Sequence, residues 1–280
     1  ESYTRNFITD YPETSSNINS FDNTIDFTNF YQPIGGAIVT IEGIHASECG
    51  LPFSFFKHDK YDKEGNFSYK TTGIKFSKDM LCVSRLLKEK GYYTSFMKSG
   101  FLQFQRLNEF LEVQEFDEAK GDREIVAIRN GGIVKKELVN QWGVNDDEMF
   151  DEAYKDFERF SKNGKPFYQV ILNIGMHIPG GYLSKSCENL NYANEMDMLQ
   201  AVQCTDYLLG EFVNKIRKSP WSKNTIIVIQ SDHRMPNGLT KLKNDERLNS
   251  GGLVFMILDD DIKGRIENNA TGVTMDIGTT

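Results

Sequence analysis

Apolar residues along the chain follow two different spacings. In SKDMLCVSRLLKEKG (77–91), DDEMFDEAYKDFERFSKNG (146–164) and ANEMDMLQAVQCTDYLLGEFVNKIRKS (193–219) they recur every three to four positions, the period of a helix with one buried face. The first two stretches end on glycine, the residue that most easily adopts the left-handed conformation in which many helices stop. Between and around them lie strand-like runs at FTNFYQP (27–33), YYTSFM (92–97), PFYQVILNI (166–174), NTIIVIQSD (224–232) and GGLVFMILD (251–259). Several of these are continuous apolar runs, as expected of strands buried on both faces. Alternating with helices, they predict an α/β/α sandwich around a central, mainly parallel sheet, formed as a single domain over 1–280.

Composition narrows the class. The chain has 280 residues, 39% of them apolar, enough for a sizeable core. Its 32 Lys and Arg against 40 Asp and Glu give a net charge of −8, and the basic residues are scattered. A nucleic-acid surface needs them clustered, so nucleic acid is not an expected partner. No window approaches the roughly 18 to 20 consecutive apolar residues of a membrane-spanning helix, and no repeat or low-complexity tract marks an internal boundary. The four cysteines, Cys49, Cys82, Cys187 and Cys204, include no C-x-x-C pair, which argues against a thiolate zinc cluster. Spacing alone leaves two disulfides and four buried thiols equally open.

In a sheet of this kind ligands bind beyond the carboxyl ends of the strands. The strand-like TIIVIQ (225–230) runs into Ser-Asp-His, delivering Asp232 and His233 to that edge; both are good metal ligands. An isolated Asp-His pair is more often a capping aspartate beside a surface histidine, but its position after the most apolar run favours the functional reading. His177, in ILNIGMHIPGG (171–181), also follows a strand-like run, whereas His45 and His58 read as structural or exposed. Thr40, in IGGAIVTIEGIHASECG (34–50), ends the apolar run 31–39 and begins a helical pattern. A helix N-terminus favours a bound phosphate or a developing alkoxide. A threonine hydroxyl is a weak nucleophile unless a base or metal lowers its pKa, and an ion on Asp232 and His233 would do so. The ordinary alternative is a helix N-cap.

The ordered set Glu1-Ser2, GGAIVTIEGIHASECGLP, LCVSRLLKEKGYYTSFM, FQRLNEF, WGVNDDEMF, NIGMHIPGGY, AVQCTDYLLGEFV and SDHRMPN resembles the sulfatase-like branch of the alkaline phosphatase superfamily. Within it the chain is similar to the phosphoglycerol transferases of the bacterial envelope. These are the lipoteichoic acid synthases and, on the cysteine contexts ASECGLP, LCVSRLL and AVQCTD, especially the osmoregulated periplasmic glucan phosphoglycerol transferases. A sulfatase proper needs C/S-x-P-x-R at the nucleophile, which TIEGI does not provide.

The resemblance implies an enzyme that moves glycerol phosphate from a phosphatidylglycerol-type donor to a periplasmic glucan through a phosphothreonine. Thr40 would be its nucleophile. Glu1, Thr40, Asp232 and His233 would hold one divalent ion, Mn2+ or Mg2+, with Zn2+ a third candidate. His177 would contact the transferred phosphate, and Arg106 with Phe104 would lie where related enzymes hold the glycerol phosphate. Related synthases carry tryptophan in place of Phe104. Cys49 would pair with Cys82, and Cys187 with Cys204. Also implied are a phospholipid donor, a glycan acceptor, a monomer, and a periplasmic domain anchored to the inner membrane by helices preceding this segment, which looks trimmed at both ends. A phosphoethanolamine transferase or a lipoteichoic acid synthase-like enzyme is the alternative, with a non-catalytic binding domain behind them.

Overall fold

The computed structural model describes residues 2–33, 37–53, 56–59, 68–71, 76–132, 135, 138–193, 197–235 and 251–279. Within these, strands Tyr93–Lys98 (β2), Glu118–Lys120 (β3) and Phe167–Leu172 (β4) form a parallel sheet in the order β3-β2-β4. A second sheet joins Thr24–Phe27 (β1) to Ile227–Gln230 (β5), Phe255–Leu258 (β6) and Arg265–Asn268 (β7) in the order β5-β6-β1-β7. There β1 and β7 are parallel, while β6 runs antiparallel to both of its neighbours.

Successive side chains of a strand point to opposite faces, and β2 shows what each face meets. Phe96 packs into a cluster with Ile41 and Ile44 of helix Thr40–Cys49 (α1) and with Leu107 and Phe110 of helix Leu107–Val113 (α3). Its neighbour Met97 packs instead with Met149 and Phe157 of helix Asp146–Lys162 (α4) and with Phe212 and Ile216 of helix Asp197–Arg217 (α5). Helices therefore cover both faces of the parallel sheet, the expected α/β/α arrangement. Among the described residues no helix is long and apolar enough to cross a membrane.

The long amphipathic patterns fold as read: α4 and α5 occupy 17 and 21 residues of their predicted stretches. Three local expectations change. The pattern 77–91 is helical only over Val83–Glu89 (α2), because Cys82 is extended and tied into a disulfide. The run 27–33 breaks at Thr28 and Asn29 into β1 and a two-residue strand, Phe30–Tyr31. Of the run 31–39, Ala37 to Val39 form no strand and 34–36 lie outside the described residues.

Both disulfides form, Cys49–Cys82 and Cys187–Cys204. The first ties the last residue of α1 to the residue before α2, and the second ties a short turn, Lys185–Cys187, to the middle of α5. They close loops of 33 and 17 residues. In the chain-entropy model each contributes about 3 to 4 kcal/mol by restricting the unfolded chain. Denaturant unfolding with and without reductant should show a loss of that order per bridge; a midpoint unmoved by complete reduction would contradict it.

Candidate active site

Helix α1 begins at Thr40, with Val39 rather than Thr40 at the N-cap and no side-chain cap bond there. The Thr40 hydroxyl is thus not used as the cap. Other side chains serve the first turn: the Gln105 carbonyl accepts from the Ile41 N–H at 2.9 Å, and the Glu42 carboxylate reaches back to the Ile38 N–H at 3.0 Å. Ala37, Gln105 and Arg106 all have positive φ, at 57°, 54° and 60°. Each such non-glycine residue costs of order 1 kcal/mol or more, and three of them cluster around one helix start.

Asp232 and His233 follow β5 directly. Ser231 fixes the exit of the strand: its backbone N–H donates to the Val254 carbonyl at 3.0 Å and its hydroxyl accepts from the Val254 N–H at 3.0 Å. The same hydroxyl donates to the Tyr3 carbonyl. Thr40, Asp232 and His233 are 5%, 6% and 5% exposed. Gly43, one helical turn after Thr40, brings the two segments together, since a Cβ there would lie 2.0 Å from the Asp232 carbonyl oxygen. Only a residue without a side chain allows that approach.

The donor chemistry here fits a divalent cation. His233 Nδ1 lies 2.9 Å from the Arg234 carbonyl, a contact that calls for Nδ1–H, so the neutral ring carries its lone pair on Nε2. That nitrogen faces Asp232 Oδ2 at 3.5 Å, a spacing two ligands of one ion can adopt. A hydroxyl, a carboxylate and an imidazole are ligands for Mn2+, Mg2+ or Zn2+. Glu1, the fourth expected ligand, lies outside the described residues; Ser2 is described, and its hydroxyl is 3.4 Å from His233 Nδ1. Among the described residues no group of three or more His, Cys, Asp and Glu side chains is gathered for a metal.

Thr40 lines a pocket together with Lys98, Phe101, Phe104, Trp142, Ile174 and His177. Trp142 stands between Phe104, edge to face at 5.6 Å, and His177, at 4.0 Å between ring centroids. The Trp-Gly turn is held against the end of β2, because Gly143 (φ 147°) packs so closely that a Cβ would meet the Ser99 carbonyl at 2.1 Å. His177 Nδ1 is 2.9 Å from the Ile178 carbonyl, which again leaves the lone pair of the neutral ring on Nε2.

Asp146, the first residue of α4, fastens the pocket from behind. Its carboxylate accepts from the Ser99 hydroxyl at 2.8 Å, from the Ile174 and Gly175 N–H groups at 2.9 and 2.7 Å, and from Asn173 at 3.1 Å. Burial pushes this carboxyl above its ordinary range, while the four hydrogen bonds pull it back. Asp146→Ala should cost about 3 to 5 kcal/mol, because two buried N–H groups lose their partner, and should loosen His177. Denaturant midpoints read the first effect; a variant within 1 kcal/mol of wild type would contradict it.

Thr40, Phe104 and His177 line one pocket, and Asp232 touches the Thr40 helix at Gly43. Arg106 does not line it. Its guanidinium is forked onto Glu109, with Nε donating at 2.8 Å. Lys98, Phe101, Trp142 and Asp146 were missed. Lys98 stands one residue past the strand-like run that ends at Met97, and Trp142 sits in a short turn with no periodicity. A strand-end lysine and a Trp-Gly pair just before an acid-opened helix were the available signals. His45 is structural: it is buried, stacks on Phe53 at 4.5 Å, and has its pKa lowered by burial. His58 has a side chain outside the described ones.

Three comparisons bear on this arrangement. Phosphoglycerol transferase I of Citrobacter koseri is 32% identical over 276 residues, covering 96% of this chain and 34% of that protein. The chain thus spans about a third of the length of the curated relatives it matches. A Vibrio parahaemolyticus protein of the alkaline phosphatase superfamily superposes with a TM-score of 0.72 at 24% identity, over 95% of this chain and 59% of that one. A lipoteichoic acid synthase of Listeria monocytogenes gives 0.71 at 17% identity, over 94% and 64%. At these identities the structures speak for the fold. The sulfatase family profile matches residues 5–250, most of the sequence. The chain belongs to the sulfatase family.

Proposed function

We propose that this chain is the catalytic part of a metal-dependent phosphoglycerol transferase of the bacterial envelope, transferring glycerol phosphate from a phosphatidylglycerol-type lipid to a periplasmic glucan. The observation that carries this reading is the placement of Thr40. Its hydroxyl starts a helix, is spared from capping, and lies within one turn of the Gly43–Asp232 contact and on the wall of the pocket that contains Lys98 and His177. The similarity to phosphoglycerol transferase I supports the transferred group, and the two disulfides fit an oxidising compartment such as the periplasm. An inner-membrane anchor outside this segment and a monomeric state complete the proposal.

Thr40, Asp232 and His233, with Glu1, would hold one divalent cation. When bound, that ion supplies Lewis-acid stabilisation of phosphoryl oxygens and lowers the pKa of the Thr40 hydroxyl. The Thr40 oxygen attacks the phosphorus in line with the lipid oxygen, whose bond breaks as diacylglycerol leaves and takes up a proton. The product is a phosphothreonine diester carrying glycerol. A glucan hydroxyl then attacks the same phosphorus, and Thr40 is restored. His177 suits both half-reactions: its neutral Nε2 accepts a proton from an incoming hydroxyl, and its protonated form donates to a phosphoryl oxygen or a leaving group.

Release of the leaving group from a soluble glycerol phosphodiester tests this reading. Turnover should appear with Mn2+ or Mg2+, vanish with chelator and return when metal is restored. Turnover indifferent to chelation, or none under any metal, would overturn it.

A further inference from the structure

Residues of α4, of α5 and of the turn Lys185–Cys187 line a cavity of about 160 Å³, and none of them belongs to the pocket that holds Thr40. Its walls are fixed in advance. Asp147 accepts from the Ser186 N–H at 3.0 Å and from the Ser186 hydroxyl at 2.8 Å, which ties the turn to α4, while the Cys187–Cys204 disulfide ties the same turn to α5. A site formed in this way loses little affinity to the ordering of its own groups. Its buried lining is apolar: Leu208, Phe212 and the half-buried Phe150, whose ring lies 5.1 Å from that of Phe212.

Most of the polar lining is already engaged. Asp147 serves Ser186, Glu148 holds the Arg129 guanidinium, and Asp151 holds both Arg129 and, at 3.3 Å, Lys215. Lys215 stands one turn beyond Glu211, the usual spacing of a helical ion pair, yet its ammonium goes to Asp151 on the other helix. The Tyr207 hydroxyl and the Glu211 carboxylate, one turn apart on α5, are left with no hydrogen-bond or ion-pair partner among the described residues. An anion would meet four carboxylates here, and an organic cation would find one unpaired carboxylate beside a resident ammonium. A neutral sugar suits both parts of the lining: its hydroxyls donate to Glu211 and accept from Tyr207, and its C–H face lies on the apolar residues. A dry cavity of about 150 Å³ takes one benzene ring, so this one has room for one sugar ring. We propose that the cavity is a glycan-binding site, separate from the catalytic pocket, that takes one pyranose unit of a neutral oligosaccharide. The inference stands apart from the phosphodiester chemistry; a glucan acceptor is one ligand of this class.

Titration with maltotetraose, laminaritetraose and cellotetraose, read by saturation-transfer NMR, tests this without turnover. At least one of the three should bind saturably to the wild type and equally well to Thr40→Ala. Glu211→Ala, at an exposed helix position, should weaken that binding by at least about tenfold, as expected when a hydrogen bond to a charged group is lost. Tyr207→Phe, which keeps the ring, should weaken it by about two- to tenfold. No saturable binding of any of the three overturns the inference, and so does binding that Glu211→Ala leaves undiminished. Spermidine binding more tightly than every sugar, and lost in Glu211→Ala, would make this a cation site and overturn it as well. Sugar binding without phosphodiester turnover would sustain the site and count against the proposed function; turnover without sugar binding would do the reverse.

Discussion

Gly43→Ala should lower phosphodiester turnover by about a hundredfold or more and destabilise the protein by about 1 to 3 kcal/mol. In an open helix the same change would stabilise by up to about 1 kcal/mol, because alanine is the better helix former. The local geometry reverses that sign. The new Cβ would stand 2.0 Å from the Asp232 carbonyl oxygen and 2.6 Å from its carbon, and real Cβ contacts essentially never fall under 3.0 Å. Relieving the clash takes at least the difference, 1.0 Å, between two backbones that have no soft side chain to yield. A displacement of that size between Thr40 and Asp232, the proposed nucleophile and metal ligand, is enough for a hundredfold loss. Measured together, kcat/KM and the denaturant midpoint would decide: an alanine variant with wild-type turnover would show that α1 and Asp232 do not form one site.

Thr40→Ala separates chemistry from stability in the other direction. Turnover should fall by at least about 10⁴-fold if Thr40 is the nucleophile, as when the nucleophile of a covalent enzyme is removed. Stability should change by no more than about 1 kcal/mol, since the hydroxyl caps nothing and alanine is favourable in the first turn of a helix. Thr40→Ser keeps the hydroxyl and should retain part of the activity. A Thr40→Ala protein that turns over at the wild-type rate would reduce Thr40 to an ordinary helix residue.

Much of the frame was legible because it rests on local periodicity. Helices α4 and α5 run for 17 and 21 residues, long enough for the apolar stripe to declare itself. Strand ends then pointed to Asp232, His233 and His177, because a continuous apolar run makes its end conspicuous, even though the run before Asp232 folds as β5, at one end of the mixed sheet and antiparallel to β6. Features set by contacts between distant segments were not legible. Nothing local marks Gly43 as the residue that lets α1 touch Asp232. The left-handed Gln105 and Arg106 carry no glycine to betray the turn, and that turn sends Gln105 to cap α1 and Arg106 to Glu109. Trp142 reaches the pocket through a turn whose placement depends on Ser99 and Gly100 from β2's end. The helix read over 77–91 starts late because the Cys82 pairing outweighs propensity at its beginning.

The central claim is that Thr40 carries the transferred group. Its direct test is mass spectrometry of the protein, loaded with metal, mixed with a soluble glycerol phosphodiester without acceptor, quenched in acid and digested. The account predicts a glycerophosphoryl adduct on the peptide containing Thr40, absent from Thr40→Ala and discharged when an acceptor hydroxyl is supplied before quenching. Protein that turns over the diester while the Thr40 peptide stays unmodified, or carries the adduct on another residue, would contradict it.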